Sequence, residues 1–178
     1  MIRKIVSGGQ TGVDRAALDV AIAQGLDYGG WCPRGGWAED QLTPPGLLTN
    51  YPNLLETPSP QPAQRTEWNV RDSSATLVLI ANENLGLSVG TQLTSDIAFR
   101  LEKPILIYQL CSENAPIQVW EWLRGLEQDI ILNIAGPRES EFPGIYVAAQ
   151  KVIRQLLNTE LLNTELASFN IKPLHYGP

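Results

Sequence analysis

Seven consecutive residues, Ala75-Thr76-Leu77-Val78-Leu79-Ile80-Ala81, constrain the fold of this chain more than any other stretch. An apolar run of that length, bounded by turn signals, reads as a central strand with both faces covered. Strand-like and helix-like segments alternate around it. Residues 2–6, 28–32, 104–110 and 130–135 read as further strands, the second weakened by Gly29 and Gly30, with a possible short one near 54–57. Between them, Val13, Ala16, Ala17, Val20 and Ala21 share a helical face that Gly25 stops. Residues 64–72 look helical, as do the segments carrying Leu93, Ile97, Ala98 and Leu101, and Val119, Trp120, Leu123 and Leu126. The best patterned helix keeps Ile145, Ala148, Ala149, Val152, Ile153, Leu156 and Leu157 on one face. The Gly- and Pro-rich stretch 33–62 is expected to be mostly loop. Strands separated by helices imply an α/β fold, with a parallel sheet flanked by helices on both faces and joined by right-handed crossovers. Ligands of such sheets bind beyond the carboxyl ends of the strands. The expected organisation is one domain over residues 1–158 and a tail over 159–178. The tail repeats Asn-Thr-Glu-Leu and packs on or extends the last helix.

Composition removes several classes of function. The 178 residues contain no eighteen-residue apolar run, so no membrane span is expected. The start, Met1-Ile2-Arg3-Lys4, lacks the apolar stretch of a signal peptide. Two cysteines, Cys32 and Cys111, define no disulfide framework, and a reducing cytoplasm is the expected compartment. A net charge of −6 suits non-specific nucleic-acid binding poorly, because that affinity comes from neutralising phosphates with Lys and Arg. The single histidine, His175, lies in the tail, so histidine-based acid–base catalysis and a His-rich metal site are not expected.

Four loops carry the chemistry. In Ser7-Gly8-Gly9-Gln10-Thr11-Gly12 the glycines let backbone approach a ligand, and Gly12 opens a helix whose free amides and dipole favour an anion. The pattern is neither a dinucleotide fingerprint nor a Walker loop. Its simpler reading is a tight turn capped by Thr11, with Asp14 three residues on as a capping-box variant. The second loop, Leu85-Gly86-Leu87-Ser88-Val89-Gly90-Thr91, again opens a helix with Gly then Thr, and Ser88, Gly90 and Thr91 are candidate contacts. In the third, Arg34 sits between Pro33 and Gly35, where it can pair with phosphate or carboxylate. Trp31 and Trp37 beside it can stack on a flat heterocycle or serve the core, and Cys32 reads as a buried apolar residue. In the fourth, Gly136-Pro137-Arg138-Glu139-Ser140, the candidates are Arg138 and Ser140. The charges of 64–72 suit a solvated helix face, from which Arg65 or Asn69 can reach a site.

Ser7-Gly-Gly-Gln-Thr-Gly-Val-Asp-Arg15, Gly30-Trp-Cys-Pro-Arg34, Ala38-Glu-Asp40, Gln64 to Asp72 and Ala135-Gly-Pro-Arg-Glu-Ser140 occur in the order of the molybdenum cofactor carrier family. The chain resembles that family over about residues 2–157. The resemblance implies a Rossmann-like fold and a homo-oligomer that binds, protects and passes on the molybdenum cofactor, a phosphate-bearing pterin whose dithiolene holds the metal. It implies no catalytic residue and no protein metal ligand, with molybdoenzymes or cofactor-biosynthesis proteins as partners. The Lonely-guy phosphoribohydrolases, often labelled lysine decarboxylase-like, are more distant relatives and carry P-G-G-x-G-T-x-x-E with a catalytic Glu. Here Gly90-Thr91 survives, but Leu93 and Thr94 fall where that acid would stand. The alternative function is a hydrolase of nucleoside monophosphates, with Glu39, Asp72 or Asp96 as its acid.

Overall fold

The computed structural model describes residues 2–81, 88–110, 115–126 and 129–158, with residues 115 and 116 by backbone alone. The expected tail, Leu85 to Leu87 of the second loop, Cys111 and His175 lie outside the described residues. The element order is β1 (Ile2–Val6), α1 (Val13–Ala23), β2 (Asp27–Cys32), a 3-10 turn (Gly46–Thr49), β3 (Leu54–Glu56) and α2 (Pro62–Arg71). It continues with β4 (Ala75–Ile80), α3 (Val89–Arg100), β5 (Ile105–Gln109), α4 (Ala115–Arg124), β6 (Ile130–Ala135) and α5 (Ile145–Leu157). All six strands run parallel in the order β3-β2-β1-β6-β4-β5. The expected α/β, Rossmann-like sheet with helices on both faces is what forms.

Every residue of β4 is buried, as its unbroken apolar run requires. One face of the sheet packs against α1, α4 and α5, where Val13, Ala17, Val20, Leu123, Ile153 and Leu156 meet Ile5, Leu77, Leu79 and Ile134. Trp120 Nε1 donates to the Leu156 carbonyl at 2.8 Å, so the largest side chain of that layer leaves no buried donor unpaired. The helices of the other face, α2 and α3, meet through Val70, Ile97 and Ala98. A third cluster, Leu18, Cys32, Ala38, Leu47, Tyr51 and Leu54, pins the long 33–53 loop to the outer strands.

The strand order positions the site. β6 lies between β1 and β4, held to β1 by the Ser7 hydroxyl donating to the Ile134 carbonyl (2.7 Å). A buried Asn133–Thr76 bond of 3.2 Å joins β6 to β4. Because all strands point the same way, the loops after β1 and β6 and the start of α3 meet at one edge of the sheet.

Two helices end in the same way. Leu26 N–H donates to the Ala21 carbonyl (2.9 Å) around Gly25 at φ 66°, and Lys103 N–H donates to the Ala98 carbonyl (2.9 Å) around Glu102 at φ 52°. This closure needs a left-handed residue, which glycine adopts freely and glutamate does not. Glu102 is exposed and makes the second turn at a cost. Glu102→Gly is expected to raise the unfolding free energy by about 1 kcal/mol, read as a higher urea midpoint at unchanged m; an unchanged or lower midpoint would contradict this account.

Candidate functional site

The turn after β1 is built around a buried carboxylate. Asp14, in the first turn of α1, pairs with Arg65 of α2 at 2.9 Å, and the Gln10 and Gly136 amides also donate to it. Burial raises its pKa above the usual carboxylate range against the opposing pull of Arg65 and those amides. Arg65 reaches Asp14 by crossing directly over Gly8, where a methyl group would overlap its guanidinium. Gly12 has a similar role toward the loop after β6, since a methyl there would overlap the Pro137 carbonyl and the Glu139 amide. Val13 N–H donates to that same carbonyl at 3.2 Å.

A second carboxylate, Glu39, fills the space between these loops. It accepts from the Thr11 hydroxyl, from Ser140 Oγ at 2.6 Å and from Ser140 N at 3.4 Å. Gln10 Oε1 accepts from both Thr11 N (3.0 Å) and Glu39 N (2.9 Å). Partial burial works to raise the Glu39 pKa, but the Ser140 and Thr11 bonds and the Arg138 charge outweigh it and hold the carboxyl low. Asp40 binds Arg15 with both oxygens, at 2.9 and 3.0 Å. The expected cap is therefore corrected: Gly12 occupies the N-cap of α1 and no side chain caps it. The Thr11 hydroxyl is turned to Glu39, and Asp14 is a buried ion-pair member instead of a capping-box acid.

A polar cleft of about 240 Å³ opens beside this arrangement, between the start of α2, the start of α3 and the loop after β6. Gln10, Arg65, Ser88, Gly90, Thr91 and Arg138 line it. Ser88 caps α3, its Oγ accepting from Thr91 N at 3.2 Å. The amides of Val89 and Gly90 are first-turn donors with no acceptor inside the helix. Arg65 Nε is buried and has no hydrogen-bond partner among the described residues. The guanidinium of Arg138 lies 5.9 Å from the centre of the Trp37 ring.

The structure thus brings Gln10, Ser88, Gly90, Thr91 and Arg138 of the expected contacts to one cleft. Thr11 and Gly12 line a different one with Arg15, Asp19, Glu139 and Tyr146. Arg34 lines a third, with Trp37 and several prolines. Gly8, Gly9 and Ser140 line none of the three: a side chain on Gly9 would press on Leu47 and Leu54, and Ser140 serves Glu39. Among the open readings of 64–72, Arg65 reaches the cleft, while Asn69 clamps the Trp31 backbone through Trp31 N (2.7 Å) and O (2.9 Å). Trp31 stands edge-on to Trp68 and donates through Nε1 to Asp72 at 2.8 Å. Cys32 is fully buried, and burial pushes its thiol up to about 11. Of the acids named for hydrolysis, Glu39 and Asp72 are bonded as described and Asp96 accepts from Gln92 on the exposed side of α3. The carboxylates in the cleft are Asp14 and Glu141. Asp14 is held there by Arg65, 51 positions later, and Glu141 by a local bond from the Arg138 amide at 3.0 Å. Among the described residues no three His, Cys, Asp or Glu side chains are grouped to hold a metal ion, and no helix is long and apolar enough to cross a membrane.

Residues 5–157 match the model of the circularly permutated YpsA SLOG family. A crystal structure from Syntrophus aciditrophicus, of a protein provisionally named a molybdenum carrier protein, is similar at 40% identity with a TM-score of 0.78. The similarity covers 88% of this chain and 95% of that one. No curated protein matches the sequence. The first two findings bear out the family resemblance of the motifs.

Two outcomes follow from the carboxylates. Gly8→Ala pushes the Arg65 guanidinium off Asp14 and leaves a buried charge uncompensated, so a loss of about 3–5 kcal/mol is expected in urea unfolding. Glu39 has a lowered pKa, so its contribution to stability is present above its ordinary value of 4.5 and is lost as pH falls through the folded value. The thermal midpoint of wild type should exceed that of Glu39→Gln at pH 7, and the gap should close on acidification below about pH 4; a gap independent of pH would rule the carboxylate out as the cause.

Proposed function

We propose that this chain, which belongs to the circularly permutated YpsA SLOG family, holds a phosphate-bearing small molecule in the polar cleft, and that this cargo is the molybdenum cofactor, retained and passed on without being transformed. The observation that carries the reading is the convergence of the α3 first-turn amides, Arg65 and Arg138 on one cleft. Phosphates bind where helix amides and guanidinium groups meet. The buried, unpartnered Arg65 Nε is a donor awaiting an acceptor, at a place where burial makes an unmet donor costly. Asp14 lies in the same cleft, but its charge is already matched by Arg65 and two amides. The choice of cargo rests on the family and on the name of the Syntrophus relative. That cargo brings its metal in its own dithiolene and asks for no metal ligands from the chain.

A hydrolytic reading is favoured by one observation, the presence of Asp14 and Glu141 carboxylates in the cleft. Incubation with AMP separates the two readings, since release of adenine would overturn carriage without chemistry.

The discriminating variant is Gly90→Asp. A side chain on Gly90 meets only Ser88 Oγ, at 3.9 Å, and aspartate suits the first turn of a helix, so the fold is retained. The new carboxylate would stand among the donors meant for phosphate. Retention of molybdenum cofactor through gel filtration should fall about tenfold or more in Gly90→Asp and in Arg138→Ala. Wild-type retention by both variants would sink the proposed site.

A further inference from the structure

We infer that the polar cleft continues into a second compartment that takes a flat heteroaromatic ring, with Trp37 as its platform; this rests on the phosphate reading of the cleft and extends it to the uncharged part of the ligand. The compartment is a slot of about 350 Å³ lined by Arg34, Trp37, Leu42, Pro44, Pro60 and Pro62. It shares Pro62 with the polar cleft, and Arg138, which lines the polar cleft, packs its guanidinium against the Trp37 ring at 5.9 Å. One cation therefore stands at the junction, facing an anion on one side and an aromatic face on the other. Arginine suits that position because its planar group binds oxyanions while lying on a ring.

The walls suit a ring better than a peptide. Three prolines and a half-buried tryptophan form a stiff surface that loses little side-chain entropy when covered. The volume falls in the range of small-ligand pockets and is too small for a partner helix. Leu42 is 70% exposed beside the slot, an apolar side chain that a docked ring would cover. Arg34 has its backbone tied to Ser59 (3.1 Å), while its side chain stays exposed at the rim, where it can meet a carbonyl or ring nitrogen. A ligand with an anion at one end and a heteroaromatic ring at the other would fill both compartments at once.

The test separates the compartments by probing each with half a ligand. Inorganic phosphate, 6-hydroxymethylpterin and adenosine, the last two free of phosphate, are titrated calorimetrically into wild type, Gly90→Asp, Trp37→Ala, Trp37→Phe and Leu42→Asp. At least one ring should bind wild type and Gly90→Asp equally, bind Trp37→Ala and Leu42→Asp about tenfold more weakly, and recover most of its affinity in Trp37→Phe. Phosphate should show the opposite pattern, weakened only by Gly90→Asp. Leu42 is exposed, so its variant stays folded if Trp37→Ala does not. The pterin binding better than adenosine, or the reverse, identifies the ring class, and either supports the slot. Failure of both rings to bind wild type, or binding that ignores Trp37 and Leu42, overturns the slot. Failure of phosphate alone overturns the anion cleft and leaves the slot standing.

Discussion

The pairing of Asp14 with Arg65 across Gly8 is the contact on which the arrangement of this sheet edge depends. Asp14 belongs to the helix layer on one face of the sheet and Arg65 to the layer on the other, so their bond joins the layers over the end of β1. A buried carboxylate is tolerated only when its charge and lone pairs are met. Arg65 meets the charge, and amides from the loops after β1 and β6 meet the lone pairs. One carboxylate thereby sets the spacing of two loops and the path of a third element. The geometry holds only because position 8 has no side chain in the way of the guanidinium.

The same logic bears on how a chain of net charge −6 can place hydrogen-bond donors around a cleft. Around the first glycine-rich turn the acids are already bonded: Asp14, Glu39 and Asp40 take up Arg65, the Thr11 and Ser140 hydroxyls and Arg15. The start of α3 has no such acid among its capping contacts. It is capped by a neutral serine, and the charged groups beside it are Arg138, the Glu141 carboxylate and the Arg65–Asp14 pair. Net charge governs the far field of a protein, while a pocket is governed by which charges are already paired within a few ångströms.

What could be read from the sequence divides along the same line. The strands and helices were legible because each is announced by its own residues: the apolar run of β4, the single face of α5, the glycine after α1. The candidate contacts were legible as a set of loops, since parallel strands send all those loops to one edge. Their sorting was not. Thr11 has the appearance of a helix cap, and nothing near it says that Glu39, 28 residues away, competes for its hydroxyl. Asp14 resembles any first-turn acid, and its burial depends on an arginine 51 positions later. Gly8 and Gly9 carry the mark of close backbone approach, but that mark does not say whether a ligand, a guanidinium or a leucine makes the approach.

The place of β6 bears on how the chain reaches this state. β1 and β4 are held together only through β6, whose residues 130–135 are made after four of the five described helices. Until that segment leaves the ribosome, the β1-β2-β3 and β4-β5 halves each keep an open inner edge with unpaired backbone donors and acceptors. The first 110 residues are thus two half-sheets without the strand that joins them. Pairings such as Lys4 with Ile131 must close a loop of more than a hundred residues, which places the assembly of this sheet edge among the last events of folding.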